Sequence, residues 1–462
     1  MTREAGPSAA GLGPLVAELG DAVRTDQAAL DEARADKSGH LAPTFPLAVV
    51  EARTIADVQA TLRFATAHRI PVVPRGAGTG LAGGAIGSEG ELVLSTTRMN
   101  RVLEVSLDDE LAVVEPGVIN ADLNAVIFDR GLWWAPDPAS RAISTIGGNI
   151  ATNAGGLLCV KYGVTREAVL GLKVVLADGR LLELGHRTVK GVTGYDLTAL
   201  MIGSEGTLGV IVEATLRLRP LPKGVPITVM AAFPTVEQAA RASSVVSASG
   251  ITPAIMELLD PGAVRSIAAH LDLDLGDGAL LLAQTDGVGA TEEATAIAAV
   301  MRSLGGEVEL TADADEARRL FDIRRAFHSS LEARGTVLIE DVAVPRSALP
   351  AMFASIERIS LKYGIEIPTV AHAGDGNLHP NFVFDAPDVD GHVEVPDHVW
   401  AAADEMFVDC LRLGGTLTGE HGVGILKKRW LRDELGDDSF ALQRQIKQVF
   451  DPANILNPGK VF

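Results

Sequence analysis

The spacing of hydrophobic positions changes part-way along the chain. Between residues 47 and 220, short apolar runs alternate with glycine-rich text, a pattern typical of short strands with few helices. Three prolines at positions 220, 222 and 226 mark a break. Beyond them, strand-like runs alternate with longer segments of helical spacing, which indicates helices packed on a sheet. Residues 1–41 are rich in alanine and predict one helical stretch near 14–35. The pattern favours an α+β protein.

Individual elements follow from the same pattern. In the first part we predict a helix at Thr54–Ala67 and strands at Leu47–Glu51, Pro71–Val73, Leu92–Ser95, Val102–Val105, Ala112–Val114, Leu172–Leu176 and Val210–Leu218. In the second part we predict strands at Ile227–Phe233, Ala279–Thr285, Val337–Val344 and Glu366–Ala371, and helices at Thr235–Ser249, Thr291–Leu304, Asp313–Ala333, Ser347–Tyr363, 397–413 and 437–450. Thr54 and Thr235 are expected to cap their helices, Thr235 within a capping box with Gln238.

Charge and cysteine content narrow the class of protein. The 462-residue chain has a formal net charge of −20 and no cluster of Lys and Arg, which argues against a nucleic-acid partner. Two distant cysteines exclude a disulfide framework and fit a reducing compartment. The first residues have no apolar core of signal-peptide kind, and no apolar run approaches the ~18 residues of a membrane span. We therefore expect a cytoplasmic protein, with peripheral membrane association left open.

The segment with the highest density of glycine is PVVPRGAGTGLAGGAI, at residues 71–86. It contains a G-x-G-x-x-G at Gly78, Gly80 and Gly83, but a dinucleotide-binding Rossmann motif should open a helix, and the following text predicts strand and turn. Successive glycines let main-chain N–H groups approach an anion closely. We predict a pyrophosphate cradle, to which Thr79 could add a hydroxyl and Arg75 a charge; a turn-rich loop is the alternative.

Two more glycine-rich stretches lie in the same part of the chain. Residues 143–157 read ISTIGGNIATNAGGL, which mixes close backbone approach with small polar donors, and residues 203–211 read GSEGTLGVI. Three such loops in one domain imply a long ligand that lies across several strand ends.

Histidines cluster in two motifs near the C-terminus. Residues 372–381 read HAGDGNLHPN, and residues 418–424 read TGEHGVG. Two histidines and one carboxylate match a divalent-metal site that leaves coordination positions open for a ligand. The alternative is that these histidines only form structural hydrogen bonds. The stretch 385–398, which contains His392, His398 and several Asp residues, is interpreted as a solvated acidic loop. Asp388, Asp390 and Gly391 match a fragment of a calcium loop, but the rest of that motif is missing.

These motifs together resemble one family. PRGAGTGLAGG, STIGGNIATNAGG and VKGVTGYDLTALMIGSEGTLGVI resemble the FAD-binding half of the vanillyl-alcohol-oxidase-like flavoproteins, and more narrowly their D-lactate, glycolate and D-2-hydroxyglutarate dehydrogenase branch, over residues 40–462. The resemblance implies a two-lobed FAD-binding domain of the PCMH type, then an α/β substrate domain with a mainly antiparallel sheet, then a C-terminal helical segment that returns to the flavin. The corresponding boundaries are 1–41, 42–221, 222–415 and 416–462.

The resemblance also implies the cofactor contacts. FAD should be bound without a covalent link, because positions 74–84 contain no His or Cys. The implied FAD-binding residues are Pro74, Arg75, Gly76, Gly78, Thr79, Gly80, Gly84, Pro136, Asp137, Ser144, Thr145, Gly148, Asn149, Thr152, Gly155, Gly156, Glu205, Gly206, Ile211 and Asn457.

The chemistry implied by the resemblance uses both histidine motifs. His372, His379 and Glu420 correspond to the ligands of a divalent metal, Zn or Mn, which would lower the pKa of the substrate's 2-hydroxyl group. His421 corresponds to the general base. Residues 321–325 read FDIRR and are expected to open a helix. Within them, Arg324 best matches the family residue that pairs with the substrate carboxylate, and Arg325 is the alternate. Asn381 is expected to help hold the substrate. Hydride transfer from C2 to the flavin would yield a 2-oxo acid.

One departure from the family pattern bears on the substrate. D-2-hydroxyglutarate dehydrogenases have a Lys near the position of Ile339 and Glu340, and a Thr where this chain has His328. A small monocarboxylate, D-lactate or glycolate, is therefore favoured over D-2-hydroxyglutarate. The electron acceptor is left as a quinone, a cytochrome or an electron-transfer flavoprotein. A homodimer, an iron–sulfur partner subunit of a glycolate-oxidising assembly, and a non-redox alkyl-transferring activity are the remaining alternatives.

Overall fold

The computed structural model describes residues 9–386, 388–389 and 392–462, so Asp390 and Gly391 of the calcium-loop fragment lie outside the described residues. The chain forms two compact units. The first unit extends to Gly155 and also contains Gly163–Leu221 and Glu420–Phe462. The second unit contains Gly156–Tyr162 and Pro222–Gly419.

Two sheets, each with its own apolar cluster, form the lobes of the first unit. The first sheet pairs its neighbours in the order Val23–Arg24, Ala48–Glu51, Leu92–Ser95 and Val72–Arg75, parallel except at its first pair. The second sheet is antiparallel, in the order Val102–Ser106, Leu111–Val114, Val210–Arg217, Val169–Val175 and Leu181–Gly185. Two short strands, Leu132–Trp133 and Arg219–Pro220, form a separate pair. This arrangement agrees with the predicted two-lobed architecture.

Helices connect and cover these sheets. The described helices of the first unit are Gly13–Leu19, Gln27–Ala33, Ile55–His68, Asn120–Ile127, Ile146–Thr152, Leu197–Met201 and Leu431–Phe450, with 3-10 turns at Ala9–Leu12, Gly20–Ala22, Phe128–Arg130 and Thr165–Ala168. Thr54 caps its helix as predicted, since its hydroxyl accepts the N–H of Asp57 at 3.2 Å. The single helix predicted near 14–35 is wrong, because Val23–Arg24 leaves the helical path and pairs with Val49 and Val50.

The C-terminal tail is an integral part of the first unit. The N–H of Val72 donates to the carbonyl of Ile455 at 2.7 Å, and the N–H of Asn457 donates to the carbonyl of Val72 at 2.8 Å. Leu456 is fully buried in the apolar cluster of the first sheet. The tail therefore extends the first sheet at its Val72–Arg75 edge, as the expected return of the C-terminus to this domain requires.

An antiparallel sheet dominates the second unit, in agreement with the prediction. Its strands follow the order Glu307–Thr311, Ile227–Phe233, Ala279–Thr285, Ile255–Leu259, Thr369–His372, Asn377–Phe384 and Thr336–Ile339, and Val342–Ala343 also pairs with Asn377–Phe384. A short hairpin pairs Asp388–Val389 with His392–Val393. The described helices of this unit are Cys159–Tyr162, Val236–Ala248, Pro261–Leu271, Ala290–Ser303, Ala314–Arg325, Phe327–Glu332, Leu349–Tyr363 and Asp397–Arg412, with a 3-10 turn at Arg346–Ala348.

Two predicted elements of this unit are interrupted. The helix predicted over Asp313–Ala333 ends at Arg325 and restarts at Phe327, where the chain turns to pack Phe327 and Leu331 into an apolar cluster. The strand predicted over Val337–Val344 breaks after Ile339. Asp341 is fully buried there, and its carboxylate takes hydrogen bonds from neighbouring segments, so polar pairing replaces the strand ladder.

Asp260 follows the strand Ile255–Leu259 and caps the next helix. Its carboxylate accepts the N–H of Ala263 at 2.6 Å, and burial raises the pKa of Asp260 to about 7. The folded state therefore retains a proton that the unfolded chain loses near pH 4. As a result, stability falls as the pH rises from about 4 to about 7.

We expect Asp260→Asn to stabilise the second unit at pH 8 but not at pH 4, because asparagine keeps the cap and carries no charge. Three pKa units correspond to at most about 4 kcal/mol, and partial solvent access of the residue reduces this to about 1–2 kcal/mol. Urea unfolding of the wild type and the variant at both pH values tests this expectation. An equal difference in stability at pH 4 and pH 8 would contradict it.

Candidate functional site

The first glycine-rich loop directly follows the strand Val72–Arg75 of the first sheet. In the described chain, no main-chain N–H of residues 76–81 donates a hydrogen bond to another residue. Gly78 adopts a φ of 69°, a conformation that side chains disfavour. The loop leads to the parallel strand Leu92–Ser95, without an intervening helix, which excludes the Rossmann alternative. Six consecutive unused donors fit the predicted anion cradle.

The side chain of Arg75 forms hydrogen bonds with the backbone around this loop. Its Nη1 donates to the carbonyls of Ala35 at 2.8 Å and Ala85 at 2.9 Å, and its Nη2 donates to the carbonyl of Glu32 at 3.2 Å. Burial lowers the pKa of Arg75. A Cβ on Gly78 would overlap this guanidinium. The side chain predicted to bring charge to the pyrophosphate is thus engaged with backbone carbonyls, and the loop amides are the groups available to an anion.

The second glycine-rich loop begins a short helix. The hydroxyl of Thr145 caps Ile146–Thr152 by accepting the N–H of Gly148 at 3.2 Å. Gly76 of the first loop lies so close that a Cβ there would overlap Thr145 Oγ1. The first and second loops therefore meet, as a single ligand that crosses both would require.

A buried polar network supports the second loop. Asn149 Nδ2 donates to Ser144 Oγ at 3.1 Å, and Asn120 Nδ2 donates to Asn149 Oδ1 and to the carbonyl of Pro136, each at 3.1 Å. The predicted ligand residues Ser144 and Asn149 are thus held by each other and by Asn120. The sequence analysis missed Asn120, and nothing in its local sequence marks it, since its partners are distant in the chain.

The third loop and the C-terminal tail converge in the same unit. Glu205 adopts a φ of 50°, and its partly buried carboxylate accepts the N–H groups of Val423 at 2.7 Å and Gly424 at 2.8 Å. Burial raises the pKa of Glu205, and these hydrogen bonds oppose the shift. Asn457 Nδ2 donates to the carbonyls of Gly84 and Glu205, both at 2.9 Å.

The side chain of Asn457 carries an orphaned polar atom. Asn457 is 1% exposed, and its Oδ1 is buried with no hydrogen-bond partner among the described residues. A buried carboxamide oxygen without a donor is costly, so a ligand donor at this point would be stabilising. The residues present therefore fit a polar cofactor edge at the junction of the first and third loops.

The remaining predicted cofactor residues have the following places. Thr152 Oγ1 donates to the carbonyl of Gly148 at 3.2 Å. A Cβ added to Gly206 would lie 3.0 Å from Cγ of Pro74, so the two residues are in close contact. Ile211 lies in the strand Val210–Arg217, and Gly155 approaches Glu420 so closely that an added Cβ would meet its Oε2 at 2.6 Å. First-unit positions include Thr79, Gly80, Gly84 and Asp137, whereas Gly156 begins the segment assigned to the second unit.

Two histidines of the second unit lie side by side. His372 ends the strand Thr369–His372, and His379 lies opposite Val370 on the adjacent strand. Their ring centroids are 5.0 Å apart in an edge-on arrangement, and their candidate ligand nitrogens lie within 4.8 Å of each other. The turn between the two strands doubles the chain back as predicted. Two imidazoles at this separation can share one divalent cation.

Glu257 is a functional candidate that the sequence analysis missed. It is fully buried, its Oε1 lies 2.6 Å from His372 Nδ1, and its Oε2 accepts Arg324 Nε at 2.8 Å. A lone acid in the apolar run Ile255–Leu259 was the available signal, because a buried charge needs partners. The same signal applies to Asp341, whose carboxylate accepts Asn377 Nδ2 at 2.6 Å and the N–H of Gly419 at 3.0 Å.

The two candidate arginines differ in their surroundings. Both lie in the last turn of the helix Ala314–Arg325, so the expectation that this text opens a helix is wrong. The side chain of Arg324 is 13% exposed and pairs with Glu257, whereas Arg325 is exposed and pairs with Asp322 of its own helix. The structure therefore favours Arg324 over Arg325 as a ligand-binding group.

Three further predicted residues have defined local contacts. In the first unit, His421 Nε2 lies 3.9 Å from Glu420 Oε1, and the side chain of His421 is 8% exposed. In the second unit, Asn381 is buried, and its Nδ2 donates to the carbonyl of His379 at 2.8 Å. Glu420 directly follows Gly419, the last residue of the second unit.

Two family models match the sequence of this chain. Residues 46–185 match the model described as an FAD binding domain, and residues 225–461 match the model described as the C-terminal domain of FAD linked oxidases. The chain belongs to the FAD-linked oxidases. The predicted FAD-binding class is thereby confirmed.

Relatives of this FAD-linked oxidase cover nearly all of its length. It is 41% identical over 425 residues to a glycolate oxidase subunit GlcD of Bacillus subtilis, covering 91% of this chain and 89% of the relative. It is 37% identical to a D-lactate dehydrogenase of Archaeoglobus fulgidus, covering 89% and 90% of the two chains. It is 36% identical to a D-2-hydroxyglutarate dehydrogenase of Xanthomonas citri, covering 95% and 94%.

Solved structures support the fold of this FAD-linked oxidase. A p-cresol methylhydroxylase with substrate bound has a TM-score of 0.80 at 19% identity, covering 98% of this chain and 96% of the other. This neighbour confirms the predicted PCMH-type fold. Among the described residues, no helix combines the length and the apolar character needed to cross a membrane.

Proposed function

We propose that this FAD-linked oxidase is a dehydrogenase that oxidises a small D-2-hydroxy acid to the 2-oxo acid. The observation that carries the proposal is the set of His372, His379 and Glu257 on one sheet, with the helix residue Arg324 paired to Glu257. This set offers metal ligands and a cation for a carboxylate, the two groups that a 2-hydroxy acid requires. The names of the relatives, which include glycolate, D-lactate and D-2-hydroxyglutarate enzymes, support the same substrate class.

FAD would be held by the first unit through the amides of residues 76–81, the Thr145 region and the orphaned Oδ1 of Asn457. When bound, it supplies a two-electron acceptor for the hydride from the substrate. The first and third glycine-rich loops are held by protein contacts, since Arg75, Glu205 and Asn457 each connect separate segments. Such preorganisation reduces the entropic cost of binding.

We propose that a divalent metal, Zn or Mn, is held by His372, His379 and Glu420. Two neutral imidazoles and a carboxylate form a donor set that suits either ion, and a bound ion would supply Lewis acidity at the substrate hydroxyl. Glu420 directly follows Gly419, whose N–H donates a hydrogen bond to Asp341 Oδ1 at 3.0 Å.

The remaining residues would bind the substrate and move a proton. Arg324 would bind the carboxylate, with its direction fixed by Glu257. His421, in its neutral form, would take the proton of the 2-hydroxyl group. Asn381, held by its hydrogen bond to the carbonyl of His379, would orient the substrate.

A monocarboxylate, D-lactate or glycolate, is the proposed substrate. Near the position where D-2-hydroxyglutarate dehydrogenases have a lysine for the second carboxylate, this chain has Ile339 and Glu340. The Glu340 residue is 1% exposed. A buried acid would repel a distal carboxylate rather than bind it. His328 is exposed and lies 3.1 Å from Glu332, so it offers no substitute cation at a buried position.

The partners follow from the same proposal. Electrons would leave to an acceptor other than oxygen, namely a quinone, a cytochrome or an electron-transfer flavoprotein. The Bacillus relative is named as a subunit of glycolate oxidase, which supports an iron–sulfur partner subunit as the second candidate, alongside a homodimer. Two cysteines are too few for an iron–sulfur cluster of its own. We propose a cytoplasmic location, peripheral to a membrane where the acceptor is a quinone, and no nucleic-acid partner.

Anaerobic reduction of the bound flavin tests the function. We expect D-lactate or glycolate to bleach the band near ~450 nm that a flavin cofactor gives, and L-lactate to leave it unchanged. Bleaching by D-2-hydroxyglutarate alone would retain the reaction but overturn the monocarboxylate assignment. A yellow protein that no 2-hydroxy acid bleaches, with Zn or Mn added, would contradict the proposed reaction.

A further inference from the structure

Glu257 lies at the centre of the eight-stranded sheet. Its strand Ile255–Leu259 is paired on one side with Ala279–Thr285 and on the other with Thr369–His372. In this register Glu257 is directly opposite His372, and opposed residues of antiparallel strands project from the same face. The sheet itself therefore brings the carboxylate to the imidazole.

The carboxylate divides its two oxygens between two partners. Oε1 lies 2.6 Å from Nδ1 of His372, and Oε2 accepts Nε of Arg324 at 2.8 Å. Glu257 is fully buried, so each of these hydrogen bonds replaces solvation that the charge has lost. The sequence distances are large, 115 residues to His372 and 67 to Arg324, so tertiary packing brings the three groups together.

An ionised carboxylate can only accept hydrogen bonds, and this fixes the tautomer of the imidazole. Nδ1 of His372 must carry the proton that it donates to Glu257. The lone pair of a neutral ring then resides on Nε2, the atom that would act as a metal ligand. Arg324 is constrained in a similar way. Its Nε is committed to Glu257, which leaves its two Nη groups as a pair matched to a carboxylate.

We propose that Glu257 is a positioning residue that sets the tautomer of His372 and the direction of Arg324 with a single carboxylate. The proposal rests on the proposed function, because it assigns His372 to a metal and Arg324 to the substrate carboxylate. It adds a coupling: metal binding and recognition of the acid depend on one buried group.

Glu257→Gln tests this coupling, because glutamine offers one acceptor oxygen and one donor nitrogen. Arg324 needs the oxygen, so the amide nitrogen faces Nδ1 of His372, donates to it and shifts the ring proton to Nε2. We expect the affinity for Mn²⁺, titrated into metal-free flavoprotein and followed by the EPR signal of the free ion, to fall about tenfold to a hundredfold. FAD content and the unfolding temperature should remain close to wild type.

Two further variants separate positioning from a purely structural role. Glu309→Gln, an exposed glutamate on the edge strand Glu307–Thr311, is the matched control and should bind Mn²⁺ like the wild type. Arg324→Lys retains a cation for Glu257 but loses the paired Nη groups, so it should raise KM for the acid without weakening Mn²⁺ binding. If Glu257→Gln does not fold, Glu257→Asp, with a carboxylate too short for both partners, should show the same loss of affinity.

The outcomes distinguish this proposal from the proposed function. Equal Mn²⁺ affinity of the wild type and the folded Glu257 variant would overturn the positioning role and leave the function intact. A wild-type flavoprotein that binds neither Mn²⁺ nor Zn²⁺, yet is reduced by D-lactate, would instead overturn the metal assignment, and with it this inference.

Discussion

Replacing His421 by glutamine should lower the rate of flavin reduction by D-lactate about a thousandfold, because a positioned base contributes about 10²–10⁴ to such rates. The amide can occupy much of the same space and form hydrogen bonds, but it cannot accept the hydroxyl proton. His421 is not among the FAD residues predicted for the glycine-rich loops, so FAD should stay bound at the wild-type ratio. Anaerobic stopped-flow mixing of each protein with D-lactate measures the rate directly.

His398→Gln is the control for this experiment. His398 is exposed on the helix Asp397–Arg412, and its replacement should leave the reduction rate unchanged. A His421→Gln variant that contains FAD and reduces at more than about a tenth of the wild-type rate would remove His421 from the role of base. A loss of FAD in this variant would indicate a structural role in the glycine-flanked segment that Glu205 anchors.

Much of the fold could be predicted, because local pattern and capping agree with the tertiary structure. The predicted strands Leu92–Ser95, Ile227–Phe233 and Ala279–Thr285 are confirmed at both ends. Thr235 caps its helix by accepting the N–H of Gln238 at 3.3 Å. The exceptions occur where tertiary contacts outweigh local propensity. Val23–Arg24 joins the first sheet within alanine-rich text that favours helix, and it thereby ends a predicted helix.

The candidate site was predictable only where its residues belong to one motif. The turn of HAGDGNLH brings His372 and His379 together, and the glycine spacing predicts an amide cradle, which the unused N–H groups of residues 76–81 fit. Glu257 and Asn120 were missed because each acts on residues that are distant in the chain. Arg75 shows the converse, since its charge suggested a ligand contact and its environment engages it with three backbone carbonyls. Sequence indicates which groups are available, and packing decides which partner each one takes.

Gly76→Ala should weaken FAD binding about tenfold to a hundredfold, which corresponds to the ~1–3 kcal/mol of an overpacked contact. A methyl group on Gly76 would overlap Thr145 Oγ1 and lie 3.7 Å from the Cα of Gly148. The first two glycine-rich loops would have to separate, and both are proposed to contact the same cofactor. Titration of FAD into the apoprotein, followed by quenching of flavin fluorescence, measures the loss. Gly13→Ala is the matched control, because a Cβ there meets nothing within 4 Å.

A double variant shows whether the overlap is the cause. Thr145→Ala alone removes the hydroxyl that accepts the N–H of Gly148 and should weaken FAD binding by a smaller factor. Combined with Gly76→Ala, it also removes the atom that the new methyl group would strike. The loss in the double variant should therefore be smaller than the product of the two single losses. If the two losses multiply instead, the methyl group acts elsewhere, and the close approach of the two loops is not what Gly76 provides.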